Sequence, residues 1–130
     1  MTPFDCVKKL RDFLHECVAS SPVEQADRIR EAHFLFREIS EESGLSVEAA
    51  LDEFDLDALL MTGAYESAAL AFLTCDTSFM MSRGVNESCL ATVSLPGGSR
   101  EMTAEARTLA LALLAALASA LIAQLEGGPG

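Results

Sequence analysis

The side chains that most often carry out catalysis are scarce in this sequence, which has two histidines and four cysteines among 130 residues. His15 and Cys17 are two positions apart, so on one helix they point about 200° away from each other and cannot pair. His33 falls within an apolar helical stripe, which favours a structural histidine. A cysteine nucleophile would need a histidine from a distant part of the chain. A small Cys/His enzyme is therefore the weakest hypothesis.

Motifs for metal or cofactor binding are also missing from the sequence. Structural zinc sites take ligands from close pairs such as C-x₂-C, and Cys6, Cys17, Cys75 and Cys89 form no such pair. There is no G-x-S-x-G, no H-E-x-x-H and no glycine-rich phosphate loop. The run DEFDLD at residues 52–57 lacks the mid-loop glycine of an EF-hand. We therefore expect no metal, no cofactor and no enzymatic activity.

The carboxylates are the one chemical group with an uneven distribution. The net charge is −11, and residues 38–82 contain ten acidic residues and no Lys or Arg, whereas the first 37 residues contain six of each sign. A field of one sign steers association with an oppositely charged partner. We expect a basic protein surface to dock on eight of these carboxylates: Glu38, Glu41, Glu42, Glu48, Asp52, Glu53, Asp55 and Asp57. The alternative is a solvated face that only keeps the protein soluble.

Direct binding to nucleic acid is disfavoured by the same charge balance. Contacts to the phosphate backbone depend on clustered Lys and Arg. The longest basic run is Lys8, Lys9 and Arg11, and it is interrupted after Lys9. We therefore expect a protein partner, without direct nucleic-acid binding.

Helix-capping signals define the first two helices. Pro3 suits the first position of a helix that ends near Ala19 or Ser20. The run SPVE at residues 21–24 is a capping box with proline at the first helical position. The second helix then extends to about Ser43, and Gly44 is well placed to end it.

The middle of the chain predicts a third helix, which starts at Ser46 and ends before Thr62. Its expected buried stripe consists of Val47, Ala50, Leu51, Phe54 and Ala58. Residues 64–74 fit either a helix or a buried strand, because periodicity cannot decide short apolar runs; we favour the helix. Residues 77–83 and 89–95, joined by residues 84–87, predict a β-hairpin.

A hydrophobic final helix, predicted over residues 103–125, organises the fold. It has no charge after Arg107, and its large side chains form one face. Such a helix is normally buried on all sides. A membrane span is disfavoured because many of its residues are alanine and because Gln124 and Glu126 close it without basic or aromatic anchors. We expect a mainly α fold with minor β, in which amphipathic helices and a small β-hairpin pack around this helix.

The opposite face of the final helix is composed of small side chains that permit close helix packing: Ala112, Ala115, Ala116, Ser119 and Ala123. The neighbour is either another helix of the same chain or a second copy in a homodimer, which we favour. Length predicts a single globular domain over residues 1–126, followed by a disordered tail at residues 127–130. The lack of a signal peptide and of a disulfide framework favours the cytoplasm.

Besides the small Cys/His enzyme, the sequence supports two hypotheses of a binding function. The first is a regulator or inhibitor that docks on a basic partner through residues 38–57. Inhibitors from phages and mobile elements that block nucleic-acid-handling complexes are an analogy by size and charge alone. The alternative is an acidic, dimeric chaperone or assembly factor that binds a client through apolar grooves. Salt separates the two, because only the first depends on charge.

Overall fold

The computed structural model describes residues 3–45, 51–86, 88–97 and 100–127. Within these residues the fold is mainly helical with a minor β component, as predicted. The helices are α1 (Pro3–Ala19), α2 (Gln25–Ser43), α3 (Glu53–Met61), α4 (Tyr65–Leu70) and α5 (Leu109–Gly127). The strands are β1 (Ser78–Arg83), β2 (Cys89–Ser94) and β3 (Met102–Ala106).

Helix α5 is the centre of the fold, and its leucine and alanine faces are both buried over residues 110–118. Helix α1 makes the most extensive contact with it, and β2 and β3 cover another part of its surface. By length and composition α5 could cross a membrane. However, 67% of its most apolar window is buried inside the chain, as in the core helix of a soluble protein.

The first two helices confirm the capping signals in the sequence. A 3₁₀ turn at Pro22–Glu24 precedes α2, and the Ser21 amide donates to the Glu24 carboxylate at 2.8 Å. Gly44 ends α2 in the left-handed conformation, with φ of +79°. Buried aromatic rings connect these helices to the rest of the core: Phe36 packs edge-on against Phe13 and Phe72.

The sheet is antiparallel with the order β1-β2-β3, so the predicted hairpin acquires a third strand. The prediction of a helix from Thr103 is wrong at this point. Residues 102–106 alternate instead, with the Ala106 side chain buried and the Thr103 and Glu105 side chains exposed. Helix α5 begins at Leu109 because the Thr108 hydroxyl accepts a hydrogen bond from the Leu111 amide at 3.1 Å.

Helix α3 differs most from its prediction. It begins at Glu53, where the Asp52 carboxylate caps it by accepting from the Asp55 amide at 2.8 Å. The predicted start at residues 46–50, which include Glu48, lies outside the described residues. Of the predicted disordered tail at residues 127–130, Gly127 is the last residue of α5, and residues 128–130 lie outside the described residues. The expected buried stripe is wrong at Phe54 and Ala58, which are exposed, whereas Leu51 is partly buried. The segment after α3 is helical over α4, which confirms the favoured alternative there.

Candidate functional site

His33 is held in a structural environment. Its ring is buried, lies edge-on against Phe34, and has Nε2 3.0 Å from an Arg37 guanidinium nitrogen. A guanidinium group can only donate hydrogen bonds, so Nε2 accepts and Nδ1 carries the proton. Within the described residues, Nδ1 has no hydrogen-bond partner.

The four cysteines are free thiols at separate places in the fold. Cys6, Cys17 and Cys89 are buried, and desolvation raises the pKa of Cys17 far above its ordinary value. Cys75 is exposed, and its thiol donates to the Asp76 carboxylate at 3.6 Å. No group of three His, Cys, Asp or Glu side chains is arranged to hold a metal ion in the part of the chain that the structure describes.

A polar hollow of about 280 Å³ lies beside α4, near the end of β1. Its lining includes Gln25, Tyr65, Glu66, Arg83 and Thr108. The Arg83 guanidinium, its one basic group, is 3.6 Å from the Glu66 carboxylate. Because the opposite charge is already present, the hollow offers no net positive field for an anion.

Several of the predicted partner-binding carboxylates have roles inside the chain. Glu38 forms an ion pair with Lys9 and so connects α2 to α1. Asp52 caps α3, and Asp57 lies 3.5 Å from the Arg30 Nε of α2. Glu42 is exposed and also takes part in an interaction. Glu38, Asp52 and Asp57 therefore already interact within the chain, and a substitution at any of the three would disturb more than a surface charge.

Four of the predicted carboxylates remain: Glu48 lies outside the described residues, and the other three are Glu41, Glu53 and Asp55. All three are exposed, and none forms an ion pair among residues 3–45, 51–86, 88–97 and 100–127. Glu53 and Asp55 lie in the first turn of α3, where the positive end of the helix dipole favours acidic side chains. Glu41 lies near the opposite end of α2, where the helix dipole disfavours an acid.

An apolar stripe on α3 accompanies these charges. Phe54 is 81% exposed and Met61 is 84% exposed, and Ala58 between them is exposed as well. Positions i, i+4 and i+7 fall on one face of a helix, since each residue turns it by about 100°. Leu56 and Leu60, which anchor α3 in the core, lie on the opposite side. Acids flank the stripe on both sides: Glu53 and Asp57 on one, Asp55 on the other.

The apolar pattern predicted Phe54 and Ala58 in the core, so this stripe was missed. The sequence contains no decisive signal for it, because Phe54, Ala58 and Met61 follow helical spacing as well as Leu56 and Leu60 do. As a capping residue, Asp52 indicates where α3 begins but not which of its faces is buried.

The small-residue face of α5 is covered from within the chain. Ala112, Ala115 and Ala116 have no exposed surface, and Ser119 and Ala123 are partly buried. A second copy has no access to the three buried alanines without a rearrangement of the core. The three alanines are therefore packed inside the chain, whereas Ser119 and Ala123 keep some exposed surface.

No protein family, curated protein sequence or solved structure matches this chain.

Proposed function

We propose that this protein is a non-enzymatic, acidic protein-binding protein, a regulator or inhibitor, that docks on a basic partner surface with α3 at the centre of the contact. The observation that supports this most is the run Glu53, Phe54 and Asp55. These three consecutive residues are exposed, and both carboxylates lack an ion pair within the described residues. An aromatic side chain with acids on both sides supplies an anchor and a field of one sign.

The expected partner surface is an apolar groove with Lys or Arg along its rim. Phe54, Ala58 and Met61 match the i, i+4, i+7 anchors of a helix that binds in a groove. Buried aromatic anchors supply most of the affinity in such contacts. Charges at the rim mainly raise the association rate and reject wrong partners. Glu53 and Asp55 would provide these charges.

A narrower form of the proposal names the partner as a nucleic-acid-handling complex, whose groove is basic because it binds phosphates. The acidic net charge supports this version through its size and sign alone. The proposed location is the cytoplasm, which is supported by four free thiols, since disulfides rarely persist in reducing compartments.

The experiment is capture of partners from source lysate on the immobilised protein, with the bound proteins identified by mass spectrometry. The test variant is Glu53→Gln with Asp55→Asn, which removes two charges without altering the Asp52 cap or the Asp57 ion pair. The matched control is Asp27→Asn with Glu101→Gln, two exposed acids outside α3. We expect the test variant to lose a basic partner that the control retains. About 0.5 M salt should weaken the same contact.

A second variant, Phe54→Ser, separates this proposal from its alternative. The alternative, an acidic chaperone or assembly factor, is supported by the exposure of Phe54 and Met61. In that case client binding would persist in salt and in both charge variants, and Phe54→Ser would abolish it. Regulation through a basic partner requires sensitivity to charge and to Phe54 together. Capture that is indifferent to salt and to Glu53→Gln/Asp55→Asn would contradict the proposal.

A further inference from the structure

Strand β1 is an edge strand without the usual protection against pairing. Among the described residues it pairs with β2 alone, one residue opposite one residue over six positions, so no bulge interrupts it. Native edges are normally blunted by charges, proline or bulges. Residues 78–82, SFMMS, contain no charge and no proline.

Both faces of β1 expose apolar side chains. Phe79 and Met81 pair with Val93 and Ala91, which are buried, so they belong to the face of the sheet that α5 covers. Because α5 lies mainly over β2 and β3, this face is incompletely covered at β1, and Phe79 is 44% exposed. Met80 points to the open face and is 73% exposed.

We infer that β1 pairs with β1 of a second copy of this chain, and that the two sheets join into one antiparallel sheet of six strands. The inference is independent of the proposed function, because it uses neither α3 nor a basic partner. It also places the homodimer contact at the sheet edge and leaves the buried alanines of α5 inside each chain.

The residues of β1 are self-complementary about Met80. A two-fold axis perpendicular to the sheet keeps both α5 helices on the same side of the joined sheet. Each residue of one β1 strand then lies opposite a residue of the other β1 strand whose side chain is on the same face. With the axis at Met80, Phe79 faces Met81 of the second copy, Ser78 faces Ser82, and the two Met80 side chains meet. Apolar residues then pair with apolar residues and serines with serines. Cross-strand pairs of this kind stabilise a sheet.

Charge does not oppose this contact. Each chain carries a net charge of −11, so two copies repel over most of their surfaces, but residues 78–82 contribute nothing to this repulsion. Arg83, the one charged residue of β1, lies at the end of the strand and approaches Glu66 of its own chain at 3.6 Å.

The first experiment measures the molar mass of the protein by light scattering over a range of concentrations. We expect a concentration-dependent dimer, with twice the mass of the 13.9 kDa chain. Met80→Lys places two ammonium groups opposite each other at the axis, and it should weaken the dimer at least roughly tenfold. The matched control is Met61→Lys on α3, which makes the same change at an equally exposed methionine and should leave the dimer intact. A wild-type protein that stays monomeric, or a Met80→Lys dimer of unchanged strength, overturns the inference.

The second experiment tests the register by cross-linking. With the axis at Met80, the two copies of residue 80 face each other within disulfide reach, whereas Ser82 faces Ser78 and lies far from its own copy. In a Cys75→Ser background, which removes the exposed native thiol, Met80→Cys should therefore form a covalent dimer on mild oxidation, and Ser82→Cys should not. Circular dichroism checks that each variant is folded. Failure of Met80→Cys to cross-link, or equal cross-linking of both variants, excludes this pairing.

Discussion

Helices α5 and α3 are both rich in apolar side chains, but the fold uses them in opposite ways. Helix α5 is buried from Ala110 to Ala118, with no polar residue in that stretch. Helix α3 buries Leu56 and Leu60 and exposes Phe54, Ala58 and Met61. Apolar content alone therefore does not determine whether a helix is buried, because the surroundings of each helix decide which of its side chains are covered.

The exposed apolar side chains of α3 contribute little to the stability of the fold, because they remain in solvent. Complete burial of a Phe or Met side chain contributes about 1.5–3 kcal/mol. Single exposed apolar residues are common on protein surfaces. Three on one helical face, with acids on both sides, are a more organised arrangement. The core around α5 accounts for stability, and the face of α3 is available for binding.

The largest expected effect comes from the α5 core. Leu114→Ala removes a fully buried side chain in the middle of α5 and should lower the free energy of unfolding by about 3 kcal/mol, because the cavity cannot collapse completely. Met61→Ala on α3 should change it by less than about 0.5 kcal/mol. Guanidinium denaturation measures both values. Equal losses for the two variants would remove the distinction between the helices.

A smaller effect separates the two faces within α3. Leu56→Ala should cost about 2 kcal/mol, because Leu56 is buried. Phe54→Ala removes a larger side chain and should cost less than about 0.5 kcal/mol, since Phe54 faces solvent. The same denaturation measurement compares the two. If Phe54→Ala proved the more destabilising, the stripe would belong to the core, and the proposed contact surface on α3 would be wrong.

Local signals predicted much of the fold correctly. The capping box at residues 21–24 and the stop at Gly44 located α2, because backbone groups at helix ends are satisfied by neighbours in the sequence. The burial of α5 followed from its apolar surface on every side. Both inferences rest on requirements that hold wherever the element lies in the fold.

Tertiary context decided the features that the sequence analysis missed. The segment of residues 102–106 is short and contains good helix formers, but it forms a strand because it pairs with β2. In α3 apolar residues occupy nearly every face, so periodicity could not choose between Phe54 and Leu56. The acidic residues were also only partly predictable. The sequence showed that residues 38–57 are rich in acids. Only the structure shows that Asp52 caps α3 and that Glu38 pairs with Lys9, whereas Glu53 forms no ion pair within the described residues.

The most gradual effect concerns the burial of Cys17 in the core. Desolvation raises the pKa of its thiol above the ordinary value of 9.0. In the unfolded chain the thiol loses its proton as pH rises past about 9, while in the folded protein it keeps it. The unfolded state is thereby favoured, and the free energy of unfolding should fall by up to about 1.4 kcal/mol per pH unit from this group.

Denaturation between about pH 8.5 and 10.5 should show a smaller decline in the free energy of unfolding for Cys17→Ala than for the wild type. Leu56→Ala is the control, because it lowers stability but retains the thiol and should keep the wild-type decline. If the free energy of unfolding declined equally with pH in all three proteins, Cys17 would be accessible to solvent. The core would then not be closed to solvent at α1.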